Sequence, residues 1–245
     1  MTISDETTLT ALQKGKITVQ GEFLWGSNYT FLAHVEYSNQ TFGVVYKPTR
    51  GERPLWDFPT ASLARREVAA YLVSEALGWR LVPPTVYRSK GPIGAGSVQF
   101  FVEHDPEYHY FNFSEKDRQR LRPVVLFDLL INNADRKGSH VLIGPDDHLW
   151  LIDHGICFHI EDKLRTVIWD FVGESIPSEL CASLSEFRHQ LQHQEGQPSR
   201  LAASLAPYLS SEEIAALGMR TDEILSSQKF PPPSPYRRPY PWPQI

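Results

Sequence analysis

Aromatic and β-branched residues recur through residues 17–24, 31–37 and 41–47, which predicts three consecutive strands. Trp25-Gly26-Ser27-Asn28 forms the first turn, and Ser38-Asn39-Gln40 forms the second with hairpin chemistry. Residues 48–59 hold three prolines and read as a loop. Thr60 is placed to cap a helix over residues 61–77, and Gly78 is placed to end it. Residues 82–88 and 97–102 read as two further strands. Beyond them, Ser114 heads a helical pattern running to about Asn132, which Pro123 is expected to kink. Two short apolar runs, 141–143 and 149–152, flank the turn Gly144-Pro145-Asp146-Asp147 and predict a small hairpin. Three or four helical patches fill the stretch from Trp169 to Ser227, and Ser210 and Glu213 have capping-box spacing.

That order predicts an α+β fold of two lobes. A small β-rich N-lobe with one helix (residues 17–103) precedes a mainly helical C-lobe (residues 104–229) that carries the hairpin. Residues 1–16 read as a loose N-terminal arm, and no internal repeat is present. A cleft between lobes is a favoured ligand site.

Composition sharpens this in three ways. The chain has 245 residues, 41% hydrophobic and 22% charged, enough for a substantial core. Seven of its 19 prolines fall in the last 15 residues, so residues 230–245 form a separate Pro-rich tail. The net charge of −5 argues against a general nucleic-acid partner, which needs a basic surface. Two cysteines, Cys157 and Cys181, make neither a disulfide framework nor a zinc site. No apolar run reaches about 18 residues, so no integral membrane segment is expected. The polar N-terminus lacks a signal-peptide core, and the cytoplasm is the expected location.

The candidate chemistry lies around the hairpin. Asp135, in Asn133-Ala134-Asp135-Arg136-Lys137-Gly138-Ser139-His140, precedes it, and Asp153, in Leu151-Ile152-Asp153-His154-Gly155, follows it. The hairpin brings the two acids toward one cleft, where one can orient a hydroxyl and the other hold a metal. The spacings are 5 residues from Asp135 to His140 and 18 from Asp135 to Asp153. With the Asp-Arg and Ile-Asp-x-Gly runs, they resemble the catalytic and metal-binding loops of the protein-kinase-like fold. They are most similar to phosphatidylinositol 3-/4-kinases and their atypical bacterial relatives. Val45-Tyr46-Lys47-Pro48, the stretch from Gly51 to Pro59 and the stretch from Leu164 to Phe171 resemble a bacterial group labelled phosphatidylinositol 3-/4-kinase-like. The resemblance spans roughly Val19 to Glu174.

The resemblance implies an atypical kinase that uses ATP with Mg²⁺ or Mn²⁺. Lys47 would hold the α- and β-phosphates and Glu67, on the following helix, would pair with it. Gly26, Ser27 and Asn28 would offer backbone N–H groups to phosphate, and Gln99, Phe100, Phe101, Val102 and Glu103 would form the linker beside the base. Asp135 would orient the acceptor hydroxyl, Lys137 would neutralise the transferring phosphate, and Asp153 and His140 would be the metal ligands. The acceptor would be a hydroxyl-bearing protein or small molecule.

His140 departs from the pattern, which has asparagine there; imidazole suits Mn²⁺ better than Mg²⁺. His140 is equally readable as a structural histidine and Lys137 as a solvated lysine. A catalytically weak nucleotide-binding scaffold, and nucleotidyl transfer on the same fold, stand as alternatives. The tail favours extended polyproline structure. It reads either as a disordered end or as an aromatic-bearing segment that docks on the body or on a partner.

Overall fold

The structure is a computed structural model and describes residues 6–22, 29–192 and 197–245. Five antiparallel strands, β1 (Lys16–Glu22), β2 (Phe31–Tyr37), β3 (Gln40–Pro48), β4 (Thr85–Arg88) and β5 (Gly96–Phe100), form one sheet in the order β1-β2-β3-β5-β4. Strand β3 alternates as the pleat requires. Phe42, Val44 and Tyr46 face the N-lobe core, and Val45 and Lys47 face the other way, into the cleft.

The expected loose arm is instead a helix, α1 (Glu6–Lys14), joined to β1 by Gly15. Ala11 and Leu12 are fully buried against Val35 and Val44. A Cβ at Gly15 would lie 2.3 Å from Val35 Cγ1, so only glycine lets the helix end this close to the sheet. A buried stripe only a few residues long is too short for helical periodicity to stand out from the polar residues around it.

Helix α2 (Leu63–Ala76) carries ten buried residues among its fourteen. It packs on β4 and β5 while its Ala69, Ala70, Tyr71 and Val73 join the large core of the C-lobe, so it is shared by both lobes. Its N-terminus is not capped by Thr60. The carboxylate of Glu52 accepts from the Leu63 N–H (3.1 Å) and the Ala64 N–H (2.8 Å). A negative group there satisfies exposed donors and the helix dipole together.

The C-lobe contains α3 (Glu115–Gln119), α4 (Arg122–Ile131), the hairpin β6 (Val141–Ile143) and β7 (Leu149–Leu151), α5 (Ser178–Leu191), α6 (Arg200–Leu205) and α7 (Ser211–Ser227). Ser114 caps α3 as its sequence position suggests, accepting from Asp117 N–H. Pro123 does not kink one long helix. It lies in the first turn of α4, where its missing N–H costs no hydrogen bond, so the run divides into two helices. Ser210 and Glu213 close a capping box at the head of α7. Among the described residues no helix is long and apolar enough to cross a membrane.

The tail follows an ordered path over the C-lobe. Phe230 is buried against Phe171, with ring centroids 5.6 Å apart, and its backbone bonds Gly173 and Glu174. Farther on, the carbonyls of Pro239 and Gln244 accept from Thr166 and Gly138. The docking alternative therefore describes this segment, and its anchor, Phe230, lies one residue beyond the expected end of the globular part.

Candidate active site

Strand β3 and helix α2 bring Lys47 and Glu67 together. Lys47 Nζ donates to Glu67 Oε1 and, at 3.0 Å, to Asp153 Oδ1. The other Glu67 oxygen accepts from the His154 N–H at 2.9 Å, so the buried carboxylate is bonded at both oxygens. Without those partners its burial would be strongly unfavourable. Burial pulls the Lys47 ammonium pKa down, but the carboxylates of Asp153 and Glu67 outweigh it and the net shift is upward. The Lys47 charge in turn holds Asp153 below the usual carboxylate range, against the effect of burial. Lysine and aspartate therefore stay charged together.

Asp135 begins a short loop whose shape is fixed from below. Asn133 Oδ1 accepts from the Asp135 N–H at 2.9 Å. The backbone of Arg136 bonds the carbonyl of Arg165 and the N–H of Val167, which ties the loop to the segment after Gly155. Lys137 Nζ lies 3.6 Å from Asp135 Oδ2. Burial raises the Asp135 carboxyl to about 6; Lys137 opposes the shift and Asp153 adds to it. At neutral pH the group is mostly ionised, yet basic enough to accept a proton.

The fully buried Arg136 holds this floor together. It bonds both oxygens of Asp128, the main-chain carbonyls of His140 and Ile152, and His154 Nε2. His154 accepts there, so its proton lies on Nδ1, 3.9 Å from Glu67. Burial, reinforced by the Arg136 charge, pushes the His154 pKa far down and keeps it neutral. Sequence reasoning took Arg136 only as part of a motif; its burial is a tertiary fact that no local pattern carries.

Asp153 and His140 meet at the mouth of the loop, with His140 Nε2 3.5 Å from Asp153 Oδ2. Burial lowers the His140 pKa to about 3, leaving the ring neutral, the form in which imidazole binds metals. Asp153 adopts a left-handed backbone, φ +63°, a strained conformation of the kind that concentrates at functional sites. Among the described residues no three potential ligands cluster. One carboxylate and one imidazole fit a cation that takes its remaining ligands from phosphate and water.

Lys47, Glu67, Asp135, His140 and Asp153 line a cavity of about 330 Å³ between the lobes; Arg136, Lys137 and His154 are not part of its lining. Val45 and Gln99, cross-strand partners on β3 and β5, form part of its wall together with Phe100, Phe101 and Val102. The Gln99 side chain is engaged with Thr85 Oγ1 at 2.8 Å. Glu103 is exposed and does not line the cavity; the adjacent lining residue is His104, whose ring bonds the Val102 carbonyl. The Glu103 side chain faces solvent while its neighbours Val102 and His104 face the cavity, so the linker contributes alternate residues to the wall. Glu52 also lines the cavity while capping α2, a role invisible in sequence because it lies eleven residues before the helix. Gly26, Ser27 and Asn28 lie outside the described residues. Cys157 is buried with its thiol pKa pushed up by that burial, which makes it a packing residue.

Protein Rv2133c of Mycobacterium tuberculosis is 38% identical in an alignment that covers 95% of this chain and 93% of that one. The chain belongs to the Rv2133c family. No family model matches it. Among solved structures, the Golgi casein kinase with Mn/ADP bound is similar with a TM-score of 0.57, at 16% identity, over 91% of this chain and 76% of that one. The structure of hydra Fam20 with sugar gives 0.56, at 15% identity, over 90% and 87%. The Helicobacter pylori proinflammatory kinase CtkA gives 0.54, at 12% identity, over 89% and 94%. The Rv2133c-family chain thus has an α+β, two-lobed, kinase-like fold.

Proposed function

We propose that the protein is an ATP-dependent phosphotransferase, an atypical kinase that moves the γ-phosphate to a hydroxyl group. The observation that carries this reading is the bonded chain Glu67–Lys47–Asp153, lying in one cleft with Asp135. Lys47, oriented by Glu67, holds the α- and β-phosphates. The walls of the cavity, Val45 and Phe100 to Val102, take the base. Asp135 orients the acceptor hydroxyl and accepts its proton, while Lys137 offsets charge on the transferring group. Asp153, with His140 beside it, holds a divalent cation, Mg²⁺ or Mn²⁺, that neutralises phosphate charge. Catalysis is then mainly positioning and electrostatics.

A soluble or protein hydroxyl suits the surface better than an inositol lipid, despite the phosphatidylinositol 3-/4-kinase-like label. The basic residues near the site, Arg118, Arg120 and Arg122, each bond a carboxylate: Asp170, Asp117 with Asp147, and Glu174. None of these three is left as an unpaired cation for anionic headgroups.

The test is ATP turnover by the protein and by Asp135→Asn and Asp153→Asn, with mass spectrometry of the products. Turnover with phosphate addition, lost in both variants, supports the reading. Full turnover in either variant overturns it, and addition of AMP assigns nucleotidyl transfer instead. His140 in place of asparagine favours a second reading, a nucleotide-binding scaffold; ATP-induced thermal stabilisation without transfer to any acceptor would establish it.

A further inference from the structure

Residues 239–245 run beside the catalytic loop. The Pro239 carbonyl accepts from the Thr166 N–H at 3.0 Å, and the Gln244 carbonyl accepts from the Gly138 N–H at 2.8 Å. Thr166 forms an isolated parallel bridge with Arg136, so its outward edge is one strand removed from Asp135-Arg136-Lys137. Gly138 directly follows Lys137. One segment therefore contacts both flanks of the loop that bears Asp135. A Cβ at Gly138 would lie 2.8 Å from the Phe111 ring, so the missing side chain makes room for that ring beside the loop.

Both contacts use main-chain atoms. Main-chain contacts of this kind place little demand on the side chains of the bound segment. Pro239, Pro241 and Pro243 restrict the backbone of the segment, which bends at Tyr240 and again at Trp242 and Pro243. Pro241 is buried, Arg238 lies over the Trp242 ring at 5.5 Å, and Arg237 approaches Asp162 at 3.9 Å. Among the described residues no part of the tail lines the nucleotide cavity. The segment covers the acceptor side and leaves the nucleotide side open. Residues 239–245 contain one hydroxyl, the exposed Tyr240 phenol, and no serine or threonine.

We infer that this face receives a polypeptide acceptor, and that the chain's own residues 239–245 occupy it as a resident competitor. The inference rests on the phosphotransferase reading and narrows its substrate to a protein hydroxyl. Acceptor binding then requires displacement of the tail, and apparent acceptor affinity is reduced by the fraction of molecules with the tail docked.

The experiment compares the full chain, a variant lacking residues 236–245, and Pro241→Asp, which keeps the chain length should the deletion misfold. Each is assayed with ATP, Mn²⁺ and dephosphorylated casein as the probe acceptor, and separately with phosphatidylinositol vesicles. Both variants are expected to raise kcat/KM for casein about tenfold, with KM for ATP unchanged. A synthetic peptide of residues 236–245 is expected to compete with casein. It is also expected to protect the Thr166 and Gly138 amides of the deletion variant from hydrogen exchange. Equal casein transfer by all three forms, with ATP turnover intact, overturns the tail inference alone. Acceleration confined to the vesicles overturns the polypeptide assignment. Absence of turnover in every form overturns the phosphotransferase reading and the inference with it.

Discussion

The Arg136 guanidinium lies 2.9 Å from an Asp128 oxygen and 2.9 Å from His154 Nε2. With the carbonyls of His140 and Ile152, every N–H of the guanidinium has an acceptor. The residue thus pins the backbone beside both His140 and Asp153. Asp128→Ala leaves this buried cation without its counter-charge, and the expected loss is about 3–5 kcal/mol of stability. Urea unfolding followed by circular dichroism measures it. A loss under 1 kcal/mol would show that the pair is not structural.

Arg66 neighbours Glu67 and bonds the Cys157 carbonyl at 2.6 Å and the Glu213 carboxylate on α7. These bonds hold α2 against the C-lobe with Glu67 turned toward Lys47. Arg66→Met is expected to reduce apparent ATP affinity about five- to tenfold, as the fraction of molecules with α2 seated falls. Calorimetric titration with an ATP analogue reads this, and unchanged affinity would remove Arg66 from the positioning machinery.

Asp135 must be ionised to accept a proton, and burial, partly offset by Lys137, places its carboxyl at about 6. Turnover is therefore expected to fall as pH drops through about 6, above the ordinary range for aspartate. Lys137→Met removes a group that lowers this value, so the acidic limb of the kcat/KM profile moves to higher pH. A limb near pH 4 in both proteins would contradict the assignment of Asp135 as base.

On the proposed reading, the His140 imidazole 3.5 Å from Asp153 would set a metal preference. His140→Asn replaces a nitrogen donor with an oxygen donor and is expected to raise the Mg²⁺ rate relative to the Mn²⁺ rate. Asp153→Asn is expected to abolish metal-dependent stabilisation by ATP. Asparagine tolerates the left-handed φ of +63°, so the loss reports the charge rather than the backbone.

The lobes, the β2–β3 hairpin and the β6–β7 hairpin were legible because each rests on local pattern and turn chemistry. Lys47, Glu67, Asp135, His140 and Asp153 were found by spacing and order, and the fold brings them into one cleft. Helix α1 escaped because its buried stripe is so short. Glu52 and Arg136 escaped as site-builders because each acts on residues distant in sequence or hidden in the core. The split of the helix at Pro123 followed from a proline that starts a helix as readily as it bends one.

The Arg66–Glu213 bond joins positions 147 residues apart. A chain emerging from the ribosome at about 5–20 residues per second presents Arg66 many seconds before its partner exists. Throughout that interval α2 lacks its anchor on α7. The contact that ties α2 to α7 is therefore a late support of the cleft, added only after the residues that line it have been made.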